Sequence, residues 1–314
     1  MTALRLPRQA SLGLFFAALA LVGLVTPSYR LLGVNQHLFL ALNVLALNFC
    51  LGLGGQISLA QAAFAGLGAY GSVLLHARFP GATLLIAPAV VFGVGLLAAL
   101  LSRPMERLGE GFLAMATLCV SLVTINLALT LEGLTGGSAG LMVESQLALP
   151  VIGPLAGDRT TFFLFFGLMA LGAYLFQAMR DSRLGRALAA CRDDRHAASS
   201  LGIDRPAVRA VSFGLGGGLS AAAGVIHGHY IGFISPEQFN LELSLKALLF
   251  LVIGGPGNLL RPLLAALVLE TAMGWLQVLG EARTLVNGLL LGTALLVGYH
   301  RGRTGRPPSL PLQK

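Results

Sequence analysis

Long apolar runs separated by short polar segments limit the fold of this chain more than any other feature. Ten runs follow one another, at 11–25, 31–51, 62–77, 82–101, 112–131, 162–179, 210–230, 243–253, 259–278 and 284–299. About 20 apolar residues cross a bilayer core as a helix, and shorter runs do so when they are partly buried in a bundle. The pattern predicts an all-α, multi-pass membrane protein of about ten transmembrane helices, with residues 1–314 forming a single transmembrane domain.

The composition agrees with a chain that lies in a lipid bilayer. Of its 314 residues, 55% are hydrophobic and 11% are charged, whereas soluble domains carry about 25% charged residues. The formal net charge of +8 does not indicate nucleic-acid binding, because the basic residues cluster between apolar runs and form no basic face interleaved with aromatic residues. The lipid bilayer is the expected partner, and no nucleic acid is expected.

One segment, residues 180–209, carries dense charge between two apolar runs. It contains seven arginines and four aspartates. Basic residues concentrate on the cytoplasmic side of membrane proteins, and with a cytoplasmic N-terminus both this segment and the basic tail 300–314 fall on that side. The loops of the opposite side then hold Arg30, Arg78, Arg159 and Arg283. We therefore expect both termini and the charged segment, as 180–209 is called below, in the cytoplasm.

Two glycine-rich breaks interrupt apolar runs and align at an offset of 200 residues. The first break is Gly52–Gln61 and the second is Gly254–Asn258; the aligned segments are Leu53–Leu59, which reads LGGQISL, and Ile253–Leu259, which reads IGGPGNL. Such backbone at membrane depth is buried in protein or lines a cavity, and paired broken segments indicate a transport site. A tight turn at the membrane surface explains the first break equally well. The candidate residues of a translocation path are Gly54, Gly55, Gln56, Ser58, Gln61, Gly254, Gly255, Asn258 and Glu270.

Polar side chains inside the apolar runs give further candidates. Lys246 and Glu270 lie in the eighth and ninth runs, and charges within a membrane pair with one another or face the bundle interior. We expect a Lys246–Glu270 ion pair, either purely structural or part of a polar path. Three asparagines are expected to hydrogen-bond between helices or to line the path, namely Asn43, Asn48 and Asn126.

The sequence offers no catalytic or metal-binding pattern. Gly66–Gly71 matches a dinucleotide-binding fingerprint but lies in an apolar run, without the preceding strand that the motif requires, so helix packing is expected. Gly136–Gly140 matches a nucleophile elbow, but its surroundings predict a glycine-rich loop. Neither Lys246 nor Lys314 stands in a Walker A motif, and the histidines and cysteines lack metal-ligand spacing. We expect no enzyme activity, no metal and no directly bound cofactor.

Six segments together resemble one family of membrane proteins. They are 54–70, 134–141, 182–188, 196–203, 235–237 and 252–258, with the sequences GGQISLAQAAFAGLGAY, LTGGSAGL, SRLGRAL, HAASSLGI, SPE and VIGGPGN. The chain resembles the permease subunits of bacterial branched-chain amino acid ABC transporters, of the LivM-like type. The resemblance implies an inner-membrane transport subunit. Its partners would be a second permease, two cytoplasmic ATPases that hydrolyse the ATP, and an extracytoplasmic substrate-binding protein.

The resemblance also implies a role for the charged segment. His196-Ala-Ala-x-x-x-Gly202 is similar to the Glu-Ala-Ala-x-x-x-Gly motif of ABC importers, a short helix that docks on the ATPase. Ala197 and Ala198 would permit close approach, and Gly202 would end the helix. Because His196 replaces the usual acid, a salt bridge does not carry over from that position, and the neighbouring charges become candidates. The expected coupling residues are Asp193, Asp194, Arg195, His196, Ala197, Ala198 and Gly202.

Other functions remain open from the sequence. The same kind of ABC permease could carry urea, short amides or a sugar, and the sequence of this subunit does not separate these cargoes. A stand-alone secondary transporter would be expected to carry coupling-ion carboxylates in several runs, and here only Glu270 is central. A polytopic membrane enzyme would display clustered His, Asp or Cys residues at one membrane face. Neighbouring genes for two ATPases, a second permease and a binding protein would decide the class.

Overall fold

The computed structural model describes residues 8–79, 82–106, 110–143, 148–149, 153–154 and 157–275, and these are mostly helical. Short strands form two antiparallel pairs, β1 (Leu141–Met142) with β4 (Phe233–Ile234) and β2 (Ala148–Leu149) with β3 (Gly153–Pro154). The helices are α1 (Arg8–Val25), α2 (Ser28–Leu47), α3 (Gln61–Arg78), α4 (Thr83–Met105), α5 (Glu110–Thr130), α6 (Glu132–Thr135), α7 (Asp158–Asp181), α8 (Arg183–Asp193), α9 (Arg195–Ser200), α10 (Arg205–Ile231), α11 (Leu241–Gly254) and α12 (Leu260–Trp275).

Every predicted apolar run lies on one of these helices as far as residue 275. Within the described ranges, five helical stretches are long and apolar enough to cross a membrane, namely Ser28–Leu53, Leu85–Met105, Phe112–Thr130, Asp158–Asp181 and Arg205–Ile231. Helices α11 and α12 are shorter, with 14 and 16 residues. The all-α prediction is confirmed for the described chain apart from the strand pairs. The number of ten spans stays a prediction, because the run 284–299 and the tail 300–314 lie outside the described residues.

Several helices extend further into charged sequence than the apolar runs, and α7 and α10 are two of them. Helix α7 begins at Asp158, and α10 begins at Arg205. Hydropathy places a helix border at the nearest charge, whereas the cap decides where a helix begins. The Asp204 carboxylate accepts a hydrogen bond from the Ala207 N–H at 3.3 Å, and a proline stands in the first turn of α10. Helices α7 and α10 therefore begin before the apolar runs at 162 and 210, and most of the charged segment is helical.

Helix α2 lies in the core of the bundle, and α10 packs closely on α3 and α4. Residues 38–47 of α2 are buried without interruption. A Cβ atom at Gly224 of α10 would collide with the carbonyl group of Ala65, and one at Gly68 of α3 would collide with Ala221. Small residues let membrane helices bring their backbones into contact. The glycine pattern at 66–71 thus serves helix packing, as expected from its apolar context.

The end of α2 is wound as a π-helix. Residues Asn48–Leu53 continue α2 in this wider form, and the Gly54 N–H donates to the Phe49 carbonyl, five residues back, at 3.3 Å. The chain then runs without regular structure over 55–60 before α3 begins. Single π-helical turns are rare and are frequent at functional sites. The first glycine break therefore begins inside the helix.

Charged residues gather at one end of the bundle. At this charged end, Glu106 after α4, the last turn of α8 and the first turn of α10 lie together. At the other end, called the loop end, the β1–β4 pair joins the glycine loop 134–141 to the chain just before Ser235. There the Tyr230 hydroxyl donates to the Asp158 carboxylate at 2.7 Å. This contact ties the end of α10 to the start of α7.

Candidate functional site

The two glycine breaks end their helices in the same way. Gly55 and Gly255, which stand 200 residues apart, have positive φ angles of 68° and 87°. The Gly55 N–H donates to the Leu51 carbonyl at 3.1 Å, and the Gly255 N–H donates to the Leu251 carbonyl at 2.9 Å. Positive φ is the backbone conformation that glycine adopts readily. The internal repeat read from the sequence is therefore a repeat of backbone geometry at these two turns.

Asn48, on the π-helix, joins the two breaks. Its Oδ1 accepts a hydrogen bond from the Gly257 N–H at 2.9 Å, and its Nδ2 donates to the Asn258 carbonyl at 2.6 Å. Asn43 likewise accepts a hydrogen bond from Ser220 of α10. The expectation of asparagines that bond between helices is confirmed for these two. Asn126 differs, because it is exposed and donates to Leu122 of its own helix.

The first break is packed inside the protein. The Leu59 N–H donates to Thr117 Oγ1 at 3.0 Å, the Leu59 carbonyl accepts from Ser121 at 2.6 Å, and the Ala62 N–H donates to Ser244 Oγ at 3.0 Å. These side chains of α5 and α11 satisfy backbone groups that the irregular chain would otherwise leave unpaired. The first break is thus held by side chains of neighbouring helices, whereas its part in a translocation path stays a prediction.

The predicted path residues of the first break share this packing. Gln56, Ser58 and Gln61 are 0% exposed. The Ser58 hydroxyl accepts a hydrogen bond from the Ala60 N–H at 3.3 Å, and the Gln61 carbonyl accepts one from Ser220 at 2.8 Å. In this conformation they support the break, so their part in a path remains a prediction. Gly54 and Gly254 are buried beside them on their helix ends, whereas Asn258 is exposed.

A buried ion-pair network lies next to the first break. The Glu106 carboxylate accepts hydrogen bonds from Gln56 Nε2 at 2.8 Å, from Arg209 Nη1 at 2.8 Å and from Arg205 Nη2 at 3.4 Å. The side chains of Glu106 and Arg209 are 4% and 2% exposed. Arg209 also donates to the Cys191 carbonyl at 3.4 Å. One carboxylate thereby connects the first break, the end of α4, the start of α10 and the end of α8.

The sequence did not single out Glu106. It stands as the acid of a basic turn after the fourth run, between Arg103 and Arg107. The available signal was a lone carboxylate among arginines, on the same side of the membrane as the charged segment.

Burial affects the thiol of Cys191 in this network. Desolvation raises the pKa of the thiol, and the nearby Arg209 lowers it to a lesser degree. This thiol therefore stays protonated at neutral pH.

The charged segment contacts both breaks through Arg192 of α8. Its Nη1 donates to the Gly52 carbonyl of the first break at 3.0 Å. The same nitrogen would lie 3.9 Å from a Cβ atom at Gly257 of the second break. Asp193 follows on α8 and is exposed, and Asp194 caps this helix and precedes α9. Arg192, which precedes the predicted coupling residues, therefore lies against the first break and near the second, while a contact between the coupling residues themselves and the path stays a prediction.

The short helix α9 ends at Gly202, as expected. Gly202 has a φ of 74°, its N–H donates to the Ser199 carbonyl at 3.0 Å, and the Ile203 N–H donates to the Ala198 carbonyl at 3.2 Å. These two bonds form a Schellman motif. The side chains of Arg195, His196 and Ala197 lie outside the described part of the chain. Ala198 is 1% exposed, so its methyl group packs inward.

Leu201 is the residue that sequence reasoning overlooked at this tip. It follows α9 and is 76% exposed. A large apolar side chain at the end of a charged, helical segment is a contact that a partner protein could cover. At this tip Ala198 packs inward and Leu201 is exposed, and the docking contact itself stays a prediction.

A polar cavity lies between α2, α11 and α12. It measures about 290 Å³ and contains Gln36, Glu237, Asn240, Glu242, Lys246 and Glu270. Lys246 Nζ lies 3.7 Å from Glu270 Oε1 and 3.0 Å from Glu242 Oε1. The expected Lys246–Glu270 pair is confirmed, and both members line a cavity that includes Glu237 of the Ser-Pro-Glu segment. Within the described residues, no group of three or more His, Cys, Asp or Glu side chains could hold a metal ion.

The described chain combines apolar helices, paired broken segments and a charged helical segment at one end. These features are typical of a multi-pass membrane protein of a transport system. The chain belongs to the family described as "Branched-chain amino acid transport system / permease component", whose model matches residues 29–298. The resemblance drawn from the sequence is confirmed. This is a family of the membrane subunits of transporters.

Relatives with known roles cover different shares of the chain. The permease protein LivM of the high-affinity branched-chain amino acid transport system of Escherichia coli (strain K12) is 29% identical over 276 residues, which are 79% of this chain and 63% of that protein. LivH of the same system in Salmonella typhimurium is 34% identical over 145 residues, or 46% of this chain and 45% of LivH.

A relative with a different role also matches. The autoinducer 2 import system permease protein LsrC of Escherichia coli O9:H4 is 34% identical over 99 residues, 29% of each chain. No solved structure matches the chain. The chain spans 63% of the length of the LivM protein of Escherichia coli (strain K12), which is less than two thirds.

Proposed function

We propose that this chain is the transmembrane permease subunit of an ATP-binding cassette importer, and that it forms the translocation path for branched-chain or related amino acids. Family membership over residues 29–298 carries the proposal. A second permease subunit, two cytoplasmic ATPases and an extracytoplasmic substrate-binding protein complete the machine. The partner ATPases use the ATP, and this chain binds no cofactor of its own.

The orientation follows from charge. The charged end, with the charged segment 180–209, faces the cytoplasm together with both termini, and the loop end faces outward. The excess of basic residues on the proposed inner side supports this orientation. In this orientation, the cavity with Lys246 and Glu270 lies toward the outer side, and both glycine breaks lie toward the inner side.

Coupling passes from the tip of α9 to the breaks. The ATPase contacts the tip around Leu201, where an apolar side chain is 76% exposed. Movement of the segment reaches the first break through the network of Arg209, Glu106 and Gln56. It reaches the second break through Arg192 and through Asn48, which hydrogen-bonds to both Gly257 and Asn258. The path then opens by alternating access.

The polar cavity is the outer part of the path in this proposal. Lys246 and Glu270 supply opposite charges within a few ångströms of one another, and a zwitterionic amino acid has both an ammonium and a carboxylate group. Glu270→Gln should reduce uptake more than it reduces assembly with the partner subunits. Glu132→Gln is the control, because Glu132 is exposed and lies outside the cavity. Unchanged uptake in Glu270→Gln would remove Glu270 from the path.

The coupling role is tested with two glycines of the same conformation. Gly202 and Gly232 have φ angles of 74° and 71°, and neither would bring a Cβ atom within 4 Å of another group. Valine at either position strains a helix end, but Gly202 ends α9 and Gly232 ends α10 at the loop end. In proteoliposomes with the partner subunits, Gly202→Val should retain ATPase activity and lose uptake of labelled leucine. Gly232→Val should not lose leucine uptake while it retains ATPase activity. If both variants change the two activities in the same way, the docking site is contradicted.

The cargo has a second candidate. The same machine could carry urea, short amides or a sugar, and the likeness of part of the chain to an autoinducer 2 permease supports a family with varied cargo. A thermal-shift screen of the binding protein against leucine, isoleucine, valine and urea decides between them. Stabilisation of the binding protein by urea alone would reject an amino acid cargo.

The energy source separates the importer from a secondary transporter. Uptake that needs an ion gradient and no ATP would indicate a secondary transporter.

A further inference from the structure

A second cavity lies at the charged end, between α8 and the two glycine breaks. It measures about 310 Å³. Its wall combines the end of α7, one face of α8 and backbone of both breaks, with Arg180, Arg186, Arg192, Asp193, Gly52 and Gly257 among its residues. The side chains on α8 recur at helical spacing, so a single face of that helix lines the cavity. No other described feature brings the charged segment and both breaks to one space.

The cavity carries an excess of positive charge. Three arginines line it together with one aspartate. Their described hydrogen bonds go to carbonyl groups: Arg192 Nη1 donates to Gly52 at 3.0 Å, and Arg186 Nη1 donates to Asp181 at 3.3 Å. In the described part of the chain, the salt bridges include none of these arginines. Among the described residues that line the cavity, positive charges therefore exceed negative ones.

Arg180 gives a second and independent indication. Its Nη1 atom is buried and has no hydrogen-bond partner among the described residues. A buried guanidinium nitrogen without a partner requires an explanation, and an anion that is not part of the chain is the simplest one. Guanidinium groups bind phosphate oxygens through paired hydrogen bonds. The cavity therefore has the composition of a phosphate site.

The position of the cavity favours a lipid phosphate. Arg180 directly follows the apolar part of α7, so it lies where a membrane helix meets the headgroup layer. Helix α8 packs Gly185, Leu188 and Cys191 against the protein and leaves Arg183 and Arg186 exposed. Basic groups at this depth attract anionic phospholipids.

We propose that this cavity binds the phosphate of an anionic phospholipid headgroup. Arg180 and Arg186 hold the phosphate, while Arg192 remains bound to the Gly52 carbonyl. The bound headgroup joins the end of α7 and α8 to the two breaks. Anionic lipid thereby strengthens the contact between the charged segment and the path.

The test measures lipid retention by the full chain. Protein is reconstituted in nanodiscs with equal phosphatidylglycerol and phosphatidylcholine, extracted in detergent, and examined by native mass spectrometry. Wild type should retain phosphatidylglycerol, and Arg180→Gln/Arg186→Gln should retain about tenfold less. Arg30→Gln/Arg183→Gln is the control, since it removes equal charge from exposed positions outside the cavity. Equal retention by both double variants would overturn the site.

Two further measurements separate the alternatives. Thermal unfolding in phosphatidylcholine alone should be similar for the two double variants, and only wild type and the control should be stabilised by added phosphatidylglycerol. Stabilisation by millimolar inorganic phosphate, without any by phosphatidylglycerol, would assign the site to a soluble phosphate and reject the lipid. Normal lipid retention with lost ATPase binding in Arg180→Gln/Arg186→Gln would assign it to a partner protein and also reject the lipid.

Discussion

The two glycine breaks have similar helix ends in different surroundings. In the first break, Gln56 and Ser58 are fully buried, and side chains from α4, α5 and α11 hold the chain. In the second break, Pro256 and Asn258 are exposed within the described part of the chain. Its described tie to the first break is the side chain of Asn48.

The difference assigns unlike roles to the two halves of the repeat. A break that is buried and hydrogen-bonded on several sides is fixed, whereas a turn with few buried contacts opens at low free-energy cost. We therefore expect the first break to act as a fixed reference and the second break to move when the charged segment moves. Four sets of substitutions test this comparison.

The largest effect is expected from Glu106→Gln, which removes the carboxylate that joins the first break to α10 and, through Arg209, to α8. It leaves Arg209, 2% exposed, as a buried charge without its carboxylate, and such a loss lowers the free energy of unfolding by about 3–5 kcal/mol. Thermal unfolding of the purified protein in detergent measures it. Glu242→Gln, at an exposed carboxylate, is the control and should change little. Equal stability of the two variants would show that the network does not hold the first break.

Asn48→Ala should have the next largest effect, because it separates the breaks. The change removes both hydrogen bonds to the second break and leaves the Gly257 N–H and the Asn258 carbonyl without this partner. Unpaired buried polar groups cost roughly 1–3 kcal/mol. Hydrogen exchange should rise around 255–258 and stay unchanged around 55–60. Asn126→Ala, which removes a bond within one helix, should leave exchange at both breaks as it is.

Alanine at the paired glycines compares the breaks directly. Gly55→Ala and Gly255→Ala each place a side chain on backbone with positive φ, which costs roughly 1–3 kcal/mol. At Gly55 the new methyl group would also lie 3.2 Å from Arg192 Cγ, whereas at Gly255 its nearest neighbour is Asn258 Nδ2 at 3.5 Å. Chemical unfolding should therefore find Gly55→Ala the less stable variant. The reverse order would mean that the second break is the more tightly held.

The smallest effects are expected at Ser58 and Asn258, which also stand 200 residues apart. Ser58→Ala removes a buried acceptor of the Ala60 N–H and should cost about 1 kcal/mol. Asn258→Ala alters an exposed side chain and should stay within about 0.5 kcal/mol of wild type. Thermal unfolding resolves this difference if both proteins are measured in one detergent. A larger loss of stability in Asn258→Ala than in Ser58→Ala would contradict the contrast between a fixed first break and a mobile second break.

Much of this architecture could be predicted from the sequence. Hydropathy located the helices, because the bilayer requires long apolar runs. Glycines at 54–55 and 254–255 marked the paired breaks, and Gly202 marked the end of α9. These features are local, since a run of residues or a backbone angle decides each one. The Lys246–Glu270 pair was also predictable, because a charge at membrane depth requires a partner.

Contacts that depend on which side a residue faces were not predictable. The inward packing of Ala198 and the exposure of Leu201 could not be predicted. Both are apolar residues of one short stretch that mixes apolar and polar residues, so hydropathy does not show which of them faces the protein. Glu106 and Arg209 stand more than 100 residues apart, and the pairing of two such charges depends on how α4 and α10 cross. Gln56 was expected to face a path, and its burial follows from the neighbours that the fold brings to it.

The π-helix at the end of α2 accommodates one more residue than an α-helical turn would. In an α-helix, each residue advances the direction of its side chain by about 100°, because 3.6 residues make one turn. Deleting one residue from Asn48–Leu53 would restore regular winding and rotate the buried face of α2 relative to everything that follows. The π-helix therefore sets how the buried face of α2 is rotated about the helix axis relative to the residues that follow it. A homologous chain that is one residue shorter here would need a different set of neighbours for its first break.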